Sequence, residues 1–178
     1  MTIFKTSALL FISLWLIACA SPPPMPTVNY VDLDRFMGDW YVIANIPTFI
    51  ERGAHNAVES YRIDDDGSIA TTFRFRDGSF DGEERVYTPR GFVRNVQSNA
   101  EWGMQFIWPI KADYRIIYLN EDYTQVIVGR AMRDYVWIMA REPHISDATF
   151  ADITRYLGEQ GYDLSRLRRV PQQWKPVQ

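Results

Sequence analysis

Few side chains in this sequence are equipped to make or break bonds. The chain holds two histidines, His55 and His144, and one cysteine, Cys19. No HExxH or paired-histidine spacing surrounds the histidines, and a zinc site draws on several nitrogen or sulfur ligands at characteristic separations. No metal and no cofactor is therefore expected. A G-x-S-x-G nucleophile elbow is absent from the sequence, although a Ser-His-Asp arrangement assembled from distant positions stays open, because such triads are recognised by geometry. His55 is expected in a loop. His144 follows a proline and precedes Ser146, a position that suits a surface or capping role. The run Asp64 to Asp66 lacks the interleaved ligands and distal glutamate of a calcium loop, so it reads as a solvated turn. The expectation is a protein that is not an enzyme and has no catalytic residues.

The cysteine has a different context. "MTIFKTSALLFISLWLIACA" carries one early positive charge, Lys5, then an uncharged apolar segment shorter than the roughly 20 residues of a membrane span, then small residues. This is the pattern of a secretion signal. Leu16-Ile17-Ala18-Cys19 resembles the bacterial lipobox, which implies a lipidated Cys19 after removal of a signal peptide at residues 1–18. The alternatives are a buried apolar cysteine in an ordinary signal peptide or in a membrane anchor. A single cysteine can form no internal disulfide, which leaves room for acylation. Several acyl chains would hold a protein on a membrane, each buried methylene contributing about 0.8 kcal/mol. Ala20 stands where an aspartate would resemble an inner-membrane retention signal. The resemblance implies the periplasmic face of the outer membrane, with the membrane as partner through Cys19. The proline-rich residues 19–29 read as a tether, since proline favours the extended polyproline II conformation. The folded domain is expected over residues 30–178.

Composition narrows the classes further. At 178 residues, with 47% hydrophobic and 23% charged side chains, one core is expected. A net charge of -3 offers nucleic acid no basic field. Aromatic residues reach 15%, more than a plain core needs.

The elements that must position any site are mostly strands. Asp66-Gly67, Asp77-Gly78 and Asp81-Gly82 are turn signals, because aspartate and glycine tolerate positive φ. "ATTFRFR" puts Phe73 and Phe75 on one face and Arg74 and Arg76 on the other. In "WGMQFIW", Met104, Phe106 and Trp108 oppose Gln105; in "DYRIIYL", Tyr114, Ile116 and Tyr118 oppose Arg115. "TQVIVGR" and "DYVWIMAR" complete the set, with Trp137, Met139 and Arg141 on a common face. Strands at intervals of roughly ten residues suggest an up-and-down barrel or a sandwich. One helix follows, capped by Ser146, with Asp147 and Asp152 near its positive end and Phe150, Ile153 and Leu157 along one face. Gly158 or Gly161 can end it, and its apolar stripe belongs against the outside of the sheet.

Gly38-Asp39-Trp40, in "GDWYVIANIP", resembles the G-x-W of lipocalins, and "DYVWIMARE" resembles the final-strand motif of the bacterial lipocalin and apolipoprotein D branch. "ERGA" and "ISDATF" also look like the bacterial members, and the resemblance runs from Tyr30 to Trp174. The family's second signature, Thr-Asp-Tyr, is replaced by Leu119-Asn120-Glu121-Asp122-Tyr123, where two registers fit. Spacing favours Asn120 in the aspartate position. The resemblance implies an all-β fold, an eight-stranded antiparallel up-and-down β-barrel with one C-terminal α-helix packed outside. It also implies structural roles for Gly38, Trp40 and Arg141, the tryptophan covering the closed end of the barrel beneath the arginine. The faces chosen by alternation would then line a ligand cup: Val42, Ala44, Phe73, Phe75, Met104, Phe106, Trp108, Tyr114, Ile116, Tyr118, Trp137 and Met139.

Burying about sixteen methylenes gives roughly 13 kcal/mol gross. Association removes about 5 kcal/mol or more, which leaves about micromolar binding. A fatty acid or lysophospholipid suits such a cup, held by a membrane-anchored carrier in envelope maintenance or stress. Arg52, in a loop near the open mouth, is a candidate to steer an anionic head group, with a solvated loop arginine as the simpler reading. The alternatives are an isomerase or esterase on this scaffold, which needs polar groups converging inside the cup, or a structural partner-binding lipoprotein with a filled barrel. The sequence leaves the oligomeric state open, a homodimer included.

Overall fold

The computed structural model describes residues 24–174. Cys19, the signal sequence and the first part of the tether lie outside them. The described chain runs β1 (Gly38–Ile46), β2 (Ala54–Ile63), β3 (Ile69–Asp77), β4 (Glu84–Tyr87), β5 (Arg90–Val93), β6 (Glu101–Ile107), β7 (Ile110–Leu119), β8 (Gln125–Gly129), β9 (Val136–Ala140) and β10 (Arg168–Arg169). A short α1 (Leu33–Phe36) precedes β1 and α2 (Asp147–Glu159) follows β9.

The ten strands form one sheet, ordered β10-β1-β2-β3-β5-β6-β7-β8-β9, and β1 also pairs with β9. That last pairing closes the sheet into a barrel. Both β4 and β5 pair with β3, β4 at Phe73–Arg76 and β5 at Ile69–Ala70, so they are two halves of one interrupted stave. The two-residue β10 only extends the edge of β1 at Ala44 and Asn45. Eight antiparallel staves remain. Closure removes the exposed sheet edges that would otherwise pair with other chains.

Two apolar clusters hold the barrel. The inner one joins Val42, Tyr61, Phe73, Trp102, Met104, Tyr114, Ile116 and Met139 around Phe36 and Trp40. The outer one joins Ile43, Ile46, Ile117, Ile127 and Ile138 to Ile153, Leu157 and Tyr162 of the α2 region. The helix therefore packs on the outside of the barrel. Ser146 caps it by accepting a hydrogen bond from Thr149 N at 3.1 Å. It ends at Gly161, whose φ of +84° favours glycine. Gly161 N donates to Gly158 O and Tyr162 N to Leu157 O, the reciprocal pair of a Schellman C-terminus. The packed chain begins earlier than Tyr30. Met25 is buried in the outer cluster, and Val28 N donates to Ile116 O at 3.0 Å. Proline alone does not keep a segment off the core when an adjacent methionine finds an apolar slot.

The closed end is built around Trp40. Helix α1 lays Phe36 against its ring at 5.2 Å, and Phe36 O accepts from the indole Nε1 at 2.8 Å. The Arg141 guanidinium lies over the ring at 3.8 Å. Its nitrogens also donate to the carbonyls of Arg35, Phe36, Met37 and Asp39, at distances of 2.9, 2.9, 2.8 and 2.7 Å. One cation thus binds α1, β1 and the end of β9 together. Gly38 has φ +93°, and a Cβ there would sit 3.4 Å from Arg141 Nη1. Asn120 holds the loop before β8: its Oδ1 accepts from Thr124 N and Gln125 N at 2.9 and 2.8 Å. Tyr123, in the same loop, accepts at its hydroxyl from Asp32 N at 2.8 Å.

Candidate ligand-binding site

The open end of the barrel is formed by the β1–β2, β3–β4, β6–β7 and β8–β9 connections. A cavity of about 460 Å³ enters there, within the range of about 300–1,000 Å³ typical of small-molecule sites. Phe73, Met104, Phe106, Tyr114 and Trp137 line it. Val42, Phe75, Ile116 and Met139 are buried in the inner cluster without bordering the cavity. Val42, Ile116 and Met139 fill the barrel toward its closed end, while Phe75 packs on Phe73 at 5.1 Å on the open-end side of it. Trp102 stacks on Tyr114 at 5.1 Å and meets Phe36 edge-on at 5.4 Å, closing the floor.

Besides the four that do not border the cavity, three more of the expected lining positions are corrected. Ala44 and Tyr118 face the helix side, Ala44 within the outer cluster and Tyr118 packed against Tyr156 at 5.9 Å. Register shifts between Val42 and Ala44 and between Ile116 and Tyr118 are responsible. An extra residue in a strand sends every later side chain to the opposite face. Trp108 lies beyond the end of β6, in the turn to β7, and is 82% exposed. Arg52 is not at the cavity either. It shares a separate groove with Arg166 and Arg168. The cation that does line the cavity is Arg130, whose Nη1 pairs with Asp134 at 3.2 Å while its buried Nε has no partner among the described residues.

Two buried carboxylates also line the wall, Glu51 from the β1–β2 connection, where alternation does not apply, and Glu59 from β2, which alternation by charge places outside. Glu51 accepts from Thr48 N at 2.8 Å and from Trp137 Nε1 at 3.0 Å. Burial raises its pKa, against those hydrogen bonds. Glu59 lies opposite Trp40 in the β1–β2 register, toward the closed end. Its Oε2 accepts from the Tyr61 hydroxyl, which is 2.7 Å from that of Tyr114. Burial pushes the Glu59 carboxyl up to about 7; the Tyr61 hydrogen bond opposes this and the Glu51 charge adds to it. Burial likewise holds both phenols well above their usual range. Ala57 and Tyr61 alternate with Glu59 on the inward face, but the rule that strand charges face water argues the other way. A second apolar set surrounds the mouth. Phe49 is 80% exposed, and Ile107 at the end of β6, Ile110 at the start of β7 and Met132 between β8 and β9 are exposed too.

His55 lies within β2, its Nδ1 2.9 Å from Gly53 O. His144 is in the connection before α2. Asp64 and Asp66 pair with Arg90 at a surface turn. No group of histidine, cysteine, aspartate or glutamate side chains among the described residues could hold a metal ion.

A family model described as a lipocalin-like domain matches residues 31–172. The chain belongs to the lipocalin family. Among named relatives of this lipocalin, "Outer membrane lipoprotein Blc" of Escherichia coli K12 is 28% identical over 162 residues, covering 88% of this chain and 89% of that one. "Temperature-induced lipocalin-1" of Arabidopsis thaliana is 27% identical, covering 85% of each chain. "Apolipoprotein D" of Mus musculus is 26% identical, covering 86% of this chain and 82% of that one. Insecticyanin of the tobacco hornworm Manduca sexta is similar in fold, with a TM-score of 0.63 at 15% identity, over 86% of each chain. Lobster apocrustacyanin A1 gives a TM-score of 0.63 at 10% identity, over 85% of this chain and 92% of that one. The barrel fold of this lipocalin is thus shared with solved structures of low sequence identity.

Proposed function

We propose that this lipocalin is a carrier that holds one long-chain amphiphile, a fatty acid, a lysophospholipid or a similar hydrophobic molecule. The observation that carries the reading is the cavity of about 460 Å³, apolar over most of its wall and open at one end. A buried tail gains about 0.8 kcal/mol per methylene without any elaborate polar site. Arg130 at the cavity wall is placed to pair with an anionic head. The exposed apolar rim gives a departing tail a surface to cross, which suits a carrier that must release its cargo.

The bacterial relatives named outer membrane lipoproteins, together with the lipobox-like Leu16 to Cys19, support a lipid-anchored protein on the periplasmic face of the outer membrane, serving envelope maintenance or stress. A continuous cavity disfavours the filled-barrel, partner-binding alternative. The enzyme alternative draws support from Glu59, Tyr61 and Tyr114, which are polar groups converging inside the cup. Native mass spectrometry of lipids co-purified with the protein, with displacement of a fluorescent fatty acid by lysophospholipid, tests the carrier reading. Bound lipid released unchanged is the expected result; no bound lipid and no displacement overturns it, and a chemically altered lipid points to turnover. Replacing Cys19 with serine is expected to abolish lipidation, read by the mass of the mature protein.

A further inference from the structure

The carrier reading leaves the floor of the cavity unexplained. An apolar tail would be served best by an apolar floor, yet the chain keeps a carboxyl there. Glu59 is buried to 9% exposure, and of its two oxygens only Oε2 has a protein partner among the described residues, the Tyr61 hydroxyl. That phenol has one proton and gives it to Glu59, so the contact between Tyr61 and Tyr114 must be donated by Tyr114. Both phenolic protons are thereby committed along one line ending at Glu59. Thr71, also on the cavity wall, turns its hydroxyl to Ile69 O. What faces the cavity is an unshared oxygen of Glu59.

That oxygen opens onto the cavity, and a ligand that covers it without offering a hydrogen bond would impose the cost of a buried unpartnered polar atom, about 1–3 kcal/mol and more when charged. A plain hydrocarbon terminus would create that cost by excluding water from the oxygen. We propose that Glu59, oriented by Tyr61 and Tyr114, is a recognition point for a hydroxyl group on the buried part of the ligand, so that the preferred cargo is a hydroxylated long-chain amphiphile. This deepens the carrier reading and rests on it.

A hydroxyl fits because it can donate to the carboxylate and can equally accept from the protonated acid. That matters for a carboxyl whose titration burial moves close to neutrality. The other titratable groups facing the same cavity are Glu51 from the β1–β2 connection, Tyr87 at the end of β4, Asp113 and Tyr114 from β7, and Arg130 and Tyr135 between β8 and β9. Asp113 is committed to Arg115 and to Ala131 N at 2.8 Å, and Glu51 to Thr48 and Trp137. Neither is free to replace Glu59. A carboxylate or phosphate head at the floor would meet like charge, so the anionic end belongs at Arg130 and the hydroxyl at the other end of the chain.

The test compares dodecanoic and hexadecanoic acids with their ω-hydroxy forms, by calorimetric titration between pH 5.5 and 8.5, on wild type, Glu59→Leu and Glu59→Gln. In wild type, at least one ω-hydroxy acid should bind as tightly as its plain counterpart or tighter across that range. Glu59→Leu should weaken the hydroxylated ligand about tenfold or more and leave the plain acid unchanged or tighter. Glu59→Gln, which keeps an acceptor oxygen and the side-chain shape, should lose less. A hydroxyl penalty equal in wild type and Glu59→Leu, with plain acids still bound, overturns this inference and spares the carrier. Failure of every acid to bind wild type overturns the carrier reading itself.

Discussion

At the scale of single residues, two side chains separate stability from binding. Trp40 touches α1, Arg141 and the inner core but does not border the cavity. A guanidinium over an indole contributes about 0.5–2 kcal/mol, with packing in addition. Trp40→Ala is therefore expected to cost about 3–5 kcal/mol of stability, with affinity retained in the folded fraction. Equal melting temperatures for variant and wild type would refute the plug role.

Glu59 behaves in the opposite way. Its carboxyl titrates near 7 in the fold and near 4.5 in an ordinary setting. Between those values the folded chain holds a proton that the unfolded chain has lost, so stability falls as pH rises from about 4.5 to 7 and stays reduced above. The gap corresponds to about 3 kcal/mol. Glu59→Gln lacks this titration, so its melting temperature should rise relative to wild type as pH goes from 5 to 8. A constant difference across that range would contradict a raised Glu59 pKa. Asp66, held down by Ser68, contributes with opposite sign at lower pH, and the comparison of variant with wild type cancels it.

At the scale of elements, the helix and the bulges determine which faces are used. Leu157 is fully buried between α2 and the barrel, and Leu157→Ala should cost about 2–5 kcal/mol in chemical denaturation. Gly129 on β8 leaves space for the same contact. A Cβ there would fall 2.2 Å from the Tyr162 hydroxyl, so Gly129→Ala should push Tyr162 outward and loosen the helix end, visible as faster amide exchange in α2. Ligand affinity should change less than helix protection, the disturbance reaching the cavity through Arg130, whose N donates to the Tyr162 hydroxyl at 3.3 Å. Strand positions were readable from alternation where the pairing is regular, as in β3. They differ in space after the bulges of β1 and β7, where Ala44 and Tyr118 obey period two in sequence and turn to the outer face. A bulge depends on what the neighbouring strand offers, and a single strand's composition does not contain that.

At the scale of the whole molecule, one end of the barrel is sealed by aromatic packing and the other is ringed by exposed apolar side chains. Phe49 lines the mouth yet is mostly exposed, so Phe49→Ser should shift stability by less than about 0.5 kcal/mol while speeding ligand dissociation in stopped-flow displacement. An unchanged off-rate would remove the rim from the exit path.

The sequence by itself determined the barrel, the outer helix with its cap, and the Gly38, Trp40 and Arg141 positions. Strand periodicity and turn chemistry alone leave a barrel or a sandwich and two glycines able to stop the helix; the barrel and the roles of Gly38, Trp40 and Arg141 came from the resemblance carried by the G-x-W and final-strand motifs. Only the tertiary structure decided that Arg130 and not Arg52 borders the cavity, and that Glu51 and Glu59 point inward. Burying a carboxylate is unfavourable for any isolated strand, and it becomes tolerable only when partners from distant strands converge on it. Tyr114 meets Tyr61 across 53 positions of chain, and Trp137 meets Glu51 across 86. Contacts of that separation exist only once the barrel has closed.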